Sequence, residues 1–315
     1  MSDTMTTSAE QSPHCQVDLP DSNPWPSRDN LERCRLSVAS SNRLYLVPVG
    51  GRRIILKVFT ESPRHMLDWL VRFVPQSNLS TVRQRLPEDR CLHERRVIEH
   101  WQRCGQAVPT ALSDELPYDL ASSRSLALEW IESPSLQALL RDITLDDRQR
   151  MNFVEKVFAE MADRHRLALE TDDARLAHLD ANTGNVLVGD ERVYRIDFEM
   201  ACDRGQVVDL LAYEVVKLCR WIARDWNPVR ISDIASRLVG HYSMIPQVLY
   251  RAISITTNRP FSWWHRLRDQ RKKQKFPHEV TKYDVVDAIA RSLRDSVDLR
   301  RPSLIHKVSA RSVPS

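Results

Sequence analysis

The segment 178–199 constrains this chain more than any other. It reads His178-Leu179-Asp180-Ala181-Asn182-Thr183-Gly184-Asn185, then the apolar Val186-Leu187-Val188, a polar turn over Gly189 to Arg192, and Val193-Tyr194-Arg195-Ile196-Asp197-Phe198-Glu199. Two short apolar runs about a four-residue turn predict an antiparallel hairpin. Such a hairpin sets Asn185, just before its first strand, beside Asp197, just after its second. An amide oxygen and a carboxylate then converge at one end, a donor set for a hard cation such as Mg²⁺ together with a nucleotide's phosphates. Asp180, five residues ahead of Asn185, lies in a loop from which its carboxylate can orient or deprotonate a hydroxyl that attacks phosphorus. Taken singly, Asp180 also reads as a turn residue and Asn185 as a cap at a strand start.

Upstream, Arg43 to Val49 reads as a strand, Gly50 and Gly51 make a turn, and Arg52 to Phe59 resumes with Ile54, Ile55, Leu56, Val58 and Phe59. Lys57 interrupts that apolar run. A buried ammonium is costly without an anionic partner; an edge-strand Lys that discourages aggregation is the plainer alternative. Met66, Leu67, Leu70, Phe73 and Val74 fall at helical spacing, and from Arg90 a stronger helix places Glu94, Val97, Ile98 and Trp101 at i, i+3, i+4 and i+7. Glu94 shares that apolar face, which makes it the simplest partner for Lys57, with Glu99 a weaker candidate and a solvated Glu94 the alternative. Gly105 closes the helix, and strands follow near Ala111 and over Ser125 to Ile131. Beyond them the chain turns helical. Phe153, Val154, Val157, Phe158 and Met161 form one apolar stripe, Val208, Leu211, Val215, Leu218 and Ile222 another, and both read as core.

At 315 residues the chain is long enough for two domains or one large two-lobed unit. Its 46 Lys and Arg against 42 Asp and Glu leave a net charge of +4, which gives no general case for nucleic-acid binding, and no DNA partner is expected. Six scattered cysteines without a C-x-x-C pair argue against a zinc ribbon and fit free thiols in a reducing cytoplasm. Met1 to Ser12 lacks the pattern of a signal peptide, and no apolar run approaches a membrane span. Residues 1 to about 30, rich in Ser, Thr, Pro and Asp, read as a disordered tail. Over 261–276, Trp263 and Trp264 precede Arg266, Arg268, Arg271, Lys272, Lys273 and Lys275. That stretch suits the headgroups of an anionic membrane or a phosphate-rich ligand, and equally a solvated basic helix with its tryptophans in the core.

In order, the strand Lys57, the helical Glu94, His178-x-Asp180-x-x-x-x-Asn185 and Asp197-Phe198 resemble the protein-kinase-like superfamily over roughly residues 35 to 220. The loop ending Thr183-Gly184-Asn185, and the stretch from Glu94-Arg95-Arg96 to Pro109, look most like its small bacterial branch: lipopolysaccharide-core sugar kinases, aminoglycoside and choline phosphotransferases, and RIO-type kinases. Leu128-Glu129-Trp130-Ile131-Glu132 followed by Leu136 resembles the hinge of the lipopolysaccharide kinases. The resemblance implies an α+β, two-lobed fold. An antiparallel-sheet N-lobe would span 31–128 with a helical insertion over 61–90, a hinge 129–135, and a mainly helical C-lobe 136–300, with tails over 1–30 and 301–315. It also implies ATP and Mg²⁺. Lys57 would grip the α/β-phosphates, Glu94 orient Lys57, Asp180 act as base, and Asn185 and Asp197 hold Mg²⁺. The backbone of Glu129 to Ile131 would bind adenine, and Ser40 and Ser41 would lie in the phosphate loop.

The chain departs from that pattern in informative places. Glycine is scarce, seven residues in all, and the expected phosphate loop, Ser37-Val38-Ala39-Ser40-Ser41-Asn42, has none. Small Ser and Ala still let backbone N–H groups near a phosphate, though less closely than glycine. Glu199 stands where Asp-Phe-Gly has its glycine, and Asn182 stands two after Asp180, where protein kinases often carry Lys. The 36 residues between Lys57 and Glu94 make the Met66 to Val74 helix an insertion that covers a cleft, binds acceptor or pads the lobe. Only Met200 to Gln206 separate Glu199 from the next helix, no Ala-Pro-Glu occurs, and Leu179 replaces the usual Arg, so a peptide-presenting activation segment has little room. Asp209, at the first turn of that helix, either braces the catalytic loop or is a plain N-terminal helix charge. The pattern points to an ATP- and Mg²⁺-dependent phosphotransferase, cytoplasmic or peripheral at the inner membrane through 261–276. Its acceptor would be a hydroxyl of a lipopolysaccharide-core-like sugar, a lipid-linked glycan or a related small molecule. A pseudokinase scaffold and a RIO-like protein kinase or ATPase are the competing readings.

Overall fold

The computed structural model describes residues 25, 28–36, 42–61, 86–116, 122–201, 205–258, 266, 267, 269, 271, 274 and 279–298. The chain divides into two compact units, one of residues 1–62 and 110–130, the other of 63–109 and 131–315. The class is α+β, as expected, with an antiparallel sheet in the first unit and mainly helices in the second.

The first unit holds α1 (Arg28–Leu31) and the strands β1 (Arg43–Val49), β2 (Arg52–Val58) and β3 (Ser125–Glu129). They pair antiparallel in the order β1-β2-β3, with Leu46 opposite Ile55 and Lys57 opposite Leu126. Gly50 and Gly51 have φ of 54° and 79°. Two consecutive left-handed residues make the tight turn whose twist matches a hairpin, and glycine takes them without strain. Tyr45, Val47, Val49, Ile54 and Leu56 bury one face together with Ala127, Leu31 and Cys34. Trp25 joins this core, ahead of the expected boundary at residue 30. The expected strand Ser125 to Ile131 stops at Glu129, and Ala111 contributes a single bridge to Leu128.

The second unit begins with α2 (Pro87–Arg103), three residues earlier than the apolar spacing predicts, because Pro87 pre-sets the first turn. The expected lobe 31–128 differs from the observed grouping here, since α2 belongs with the helical unit. Next come α3 (Leu136–Arg141), capped by the Ser135 hydroxyl on the amide of Ala138, and α4 (Asp147–Thr171), started by a reciprocal Asp146–Gln149 capping box. The hairpin β4 (Val186–Val188) and β5 (Val193–Arg195) pairs antiparallel as predicted. Beyond it come α5 (Val207–Asp225), α6 (Ile231–His241), α7 (Pro246–Thr257) and α8 (Lys282–Asp298). Val154, Val157, Phe158 and Met161 of α4 and Leu211, Val215, Leu218 and Ile222 of α5 are fully buried core, while Phe153 and Val208 of the predicted stripes are half-buried at their edges. Each fully buried side chain contributes about 1.5–3 kcal/mol of burial.

Cys34, Cys91, Cys104 and Cys219 form no disulfide. Among the described residues no helix is long and apolar enough to cross a membrane. The predicted helix over Met66 to Val74, the loop residues Ser37 to Ser41, the tail 301–315 and, within 261–276, Trp263, Trp264, Arg268, Lys272, Lys273 and Lys275 lie outside the described residues. Arg266 of that stretch lies over the Tyr283 ring, 4.9 Å from its centroid, and pairs with Asp287 at 3.6 Å.

Candidate functional site

Asp180 sits in the loop between α4 and β4, and three side chains fix it. The Asn185 amide donates from Nδ2 to the Asp180 carbonyl at 3.0 Å and to its Oδ2 at 3.1 Å. Lys217 Nζ donates to Oδ1 at 2.6 Å and to the Leu179 carbonyl at 2.9 Å. Asn182 caps the short turn Thr183–Asn185 by accepting the Asn185 N–H on its Oδ1 at 3.1 Å. A Cβ on Gly184 would stand 3.1 Å from that same oxygen, a tight approach that the Asn182 side chain would have to yield to. Both carboxylate oxygens of Asp180 are thereby held in one orientation. Burial pushes the Asp180 carboxyl up, but the Lys217 ammonium outweighs it and holds the group below the ordinary aspartate value. Asp180 is an ionised, oriented acceptor, which is what a positioned base for a hydroxyl requires.

The loop is braced by α5 through one polar stripe. Glu214, fully buried, accepts the backbone N–H of His178 at 2.7 Å, both terminal nitrogens of Arg164 at 2.6 and 3.1 Å, and His165 Nε2 at 3.1 Å. With His165 Nε2 donating, its Nδ1 accepts from the Tyr242 hydroxyl at 2.8 Å. Burial alone would raise the Glu214 carboxyl, yet Arg164 and His165 overcome it and keep it well below the usual carboxylate range. At the far end of α5, buried Asp225 accepts from the Thr183 hydroxyl and from Arg141 Nη2 at 2.6 Å. Glu214, Lys217 and Asp225 stand at i, i+3 and i+11, an arc of about 80° on a helix that turns 100° per residue. Asp209, one reading of which was a brace for this loop, instead pairs with Arg251, Nη2 to Oδ2 at 2.9 Å. The correction has a simple cause: Asp209 is five residues ahead of Glu214, and 500° around the helix puts it about 140° from it.

Asp197 follows β5 as the hairpin predicts, in the left-handed region at φ 66°. That conformation costs a non-glycine residue about 1 kcal/mol and persists only where neighbours enforce it. On one side Ile196 donates its N–H to the Asn185 carbonyl at 3.2 Å, and His178 Nε2 donates to the Ile196 carbonyl at 2.9 Å. On the other, buried Phe198 packs edge-on against Trp101 at 4.7 Å and His178 at 5.0 Å. Oxygens of Asp197, Glu199 and the buried Glu94 come within 4.8 Å of one another. Arg90 Nη1 donates to Glu199 at 3.1 Å. Glu199, noted in the sequence only as a lost glycine, therefore adds a third carboxylate. A set of three carboxylates, Glu94, Asp197 and Glu199, fits Mg²⁺, which takes hard oxygen donors and completes its shell with water and phosphate.

Within the helical unit the structure thus brings Asp180 to Asn185, and Asp197 to Glu94. Lys57 is placed in the strand unit, 5% exposed, its ammonium 5.0 Å from the Phe59 ring centroid. Glu129 donates its N–H to the Thr110 carbonyl at 2.9 Å and Trp130 to that of Arg53 at 3.3 Å, so two of the three amides expected near adenine already have partners. Ile131 opens the helical unit's second segment. Ser40 and Ser41 lie outside the described residues. Glu214, Lys217 and Asp225 are the residues that sequence reasoning missed. The signal was an acid and a lysine inside or beside an otherwise apolar helical stripe.

No family model matches the chain, and no curated protein matches it. Among solved structures it is similar to WaaP in complex with acyl carrier protein, at 18% identity over 77% of this chain and 91% of that one, with a TM-score of 0.45. It is also similar to the Rio2 kinase from Chaetomium thermophilum, at 14% identity over 63% of this chain and 60% of that one, with a TM-score of 0.38. In the chain's own geometry, a braced loop, a capped turn, a hairpin, an aspartate and a following helix succeed one another in that order.

Proposed function

We propose that the chain is an ATP- and Mg²⁺-dependent phosphotransferase acting on an alcohol. The observation that carries this is the Asp180 carboxylate, ionised and held by Asn185 Nδ2 and Lys217 Nζ in a loop that packs onto the Asp197 hairpin. In the proposed reaction the acceptor hydroxyl oxygen forms a bond to the γ-phosphorus as the bond to the bridging oxygen of ADP breaks. The hydroxyl proton passes to Asp180. Phosphoryl transfer needs chiefly positioning and charge stabilisation, so a carboxylate of lowered basicity suffices. Asn185 and Asp197, with Glu199, would hold Mg²⁺, which when bound neutralises charge on the phosphates. The resemblance gives Lys57 the α/β-phosphates.

The acceptor in this proposal is a sugar hydroxyl of a lipopolysaccharide-core-like or lipid-linked glycan. The short stretch between Asp197 and α5 supports it, since a flexible peptide needs a longer platform, and so does Leu179 in place of an arginine that would bind a loop phosphate. The basic stretch 261–276 would meet the acceptor's anionic groups. The test is incubation with γ-labelled ATP and, in parallel, a total lipid-glycan extract and a total protein extract. Label in the glycan fraction is the expected result. Label confined to protein would replace the acceptor with a polypeptide, and ATP-induced stabilisation without any transfer would replace the enzyme with a nucleotide-binding scaffold.

A further inference from the structure

A second group of chemically capable side chains lies apart from the residues assigned to phosphoryl transfer. His100 and Cys104 stand at i and i+4 at the C-terminal end of α2, and the Cys104 amide donates to the His100 carbonyl at 3.1 Å, which keeps both on one face. Asp173 reaches them from the turn after α4. His100 Nε2 is 2.6 Å from Asp173 Oδ2 and 3.7 Å from Cys104 Sγ, and the three ligand atoms all lie within 4.8 Å of one another. His100 is buried and Asp173 nearly so, while Cys104 is partly exposed.

We propose that His100, Cys104 and Asp173 form a binding site for a borderline-soft divalent cation, Zn²⁺ foremost. Nitrogen, sulfur and oxygen donors from one residue each are the mixed set that zinc takes and that Mg²⁺ and Ca²⁺ do not. With Zn–S near 2.3 Å and Zn–N near 2.0–2.1 Å, tetrahedral angles put sulfur and nitrogen about 3.6 Å apart, which the present 3.7 Å already matches. The His100–Asp173 separation is that of a hydrogen bond and opens by about 0.7 Å when the cation takes the place of the shared proton. The second shell is built as well. Asp173 Oδ1 accepts from Arg175 Nε at 2.9 Å and from its backbone N–H at 3.1 Å, Oδ2 accepts from Arg175 Nη2 at 2.9 Å, and Trp101 Nε1 donates to the Arg175 carbonyl at 2.8 Å, tying this turn to α2. The C-terminal end of α2 carries partial negative charge, which favours a cation. Binding leaves the fourth position to water on the exposed side of Cys104. The Cys104 thiol proton goes to solvent, and the Nε2 proton of His100 moves to Nδ1 or, from the charged ring, to solvent. Because the thiol must lose its proton on binding, affinity rises with pH.

The full chain, reduced and stripped with chelator, is titrated with Co²⁺ and followed by absorption. One equivalent is expected to give tetrahedral d–d bands and a thiolate-to-cobalt charge-transfer band, both displaced by one equivalent of Zn²⁺. Cys104→Ser is expected to abolish the charge-transfer band, and His100→Gln to weaken Co²⁺ binding at least 100-fold. Cys15→Ser is expected to leave both unchanged. Zn²⁺ is also expected to raise the melting temperature of the wild type and of Cys15→Ser but not of Cys104→Ser. A wild type without the charge-transfer band, or a band retained in Cys104→Ser, overturns the proposal and leaves a plain His–Asp ion pair beside a thiol.

Discussion

Lys217 offers the sharpest single perturbation, because the sequence places no cation near Asp180 and the structure supplies one from α5. Lys217→Ala removes a charge-assisted bond of 2.6 Å to Asp180 Oδ1 and a second of 2.9 Å to the Leu179 carbonyl. Bonds of this kind contribute about 1.5–3 kcal/mol. The two side chains are 22% and 30% exposed, so water screens the pair and the lower end applies, about 1.5 kcal/mol. At about 1.4 kcal/mol per decade, kcat falls roughly tenfold. The KM for ATP stays within about twofold, since an interaction that orients the base acts on the reacting geometry rather than on nucleotide affinity. The acid side carries the more specific signature. Burial pushes the Asp180 carboxyl up and Lys217 pulls it down. Without the ammonium its pKa rises, and the acid limb of the kcat profile moves to higher pH. Lys217→Arg should recover much of the rate and most of the limb. The assay is ADP release at saturating ATP across the acidic range, with a thermal melt confirming that each variant is folded. An unmoved acid limb with unchanged kcat in Lys217→Ala would refute the reasoning.

Three further outcomes follow from the braces. Glu214→Ala leaves the fully buried Arg164 guanidinium without its main partner, so destabilisation of about 3–5 kcal/mol is expected by chemical denaturation, against much less for the partly exposed Asp209→Ala. The same network predicts acid sensitivity. The Glu214 carboxyl is depressed in the folded state, so its stabilisation is present above the unfolded carboxylate value and is lost as pH falls through the folded one; buried neutral His165 and His178, both depressed mainly by burial, begin to erode stability once pH drops below the unfolded histidine value. A melting temperature flat above about pH 7 and falling steadily below about 6.5 is the expected profile; one that rises on acidification contradicts it. Asp225→Ala should lower kcat at least fivefold by freeing Thr183 and the loop it starts, whereas Asp209→Ala should leave kcat unchanged, a contrast that steady-state kinetics of the two variants would settle.

What the residues alone conveyed was chiefly local. The hairpin around Gly189, the Gly50-Gly51 turn and the two apolar helical stripes depend on neighbours within a few positions, and each stands where its pattern puts it. Asp180, Asn185 and Asp197 were legible for the same reason, since one loop and one hairpin fix their spacing. The braces were not. Nothing in a linear pattern says that Glu214, in the midst of Leu211, Val215 and Leu218, meets Arg164 fifty residues earlier, or that Asp209 is claimed by Arg251. Glu199 illustrates the same limit from the other side. As a missing glycine it reads as a loss of backbone freedom, while in three dimensions it brings a carboxylate to Asp197 and Glu94.

The central claim is that Asp180 takes the proton of an acceptor alcohol while ATP is bound. The most direct measurement compares wild type with Asp180→Asn, which keeps shape and removes charge, in acceptor-dependent ADP release and in ATP-induced thermal stabilisation with and without Mg²⁺. The account predicts that the variant keeps the Mg²⁺-dependent stabilisation and loses at least 100-fold in turnover. Turnover at the wild-type level in Asp180→Asn, or no acceptor-dependent ADP release from the wild type, would contradict it.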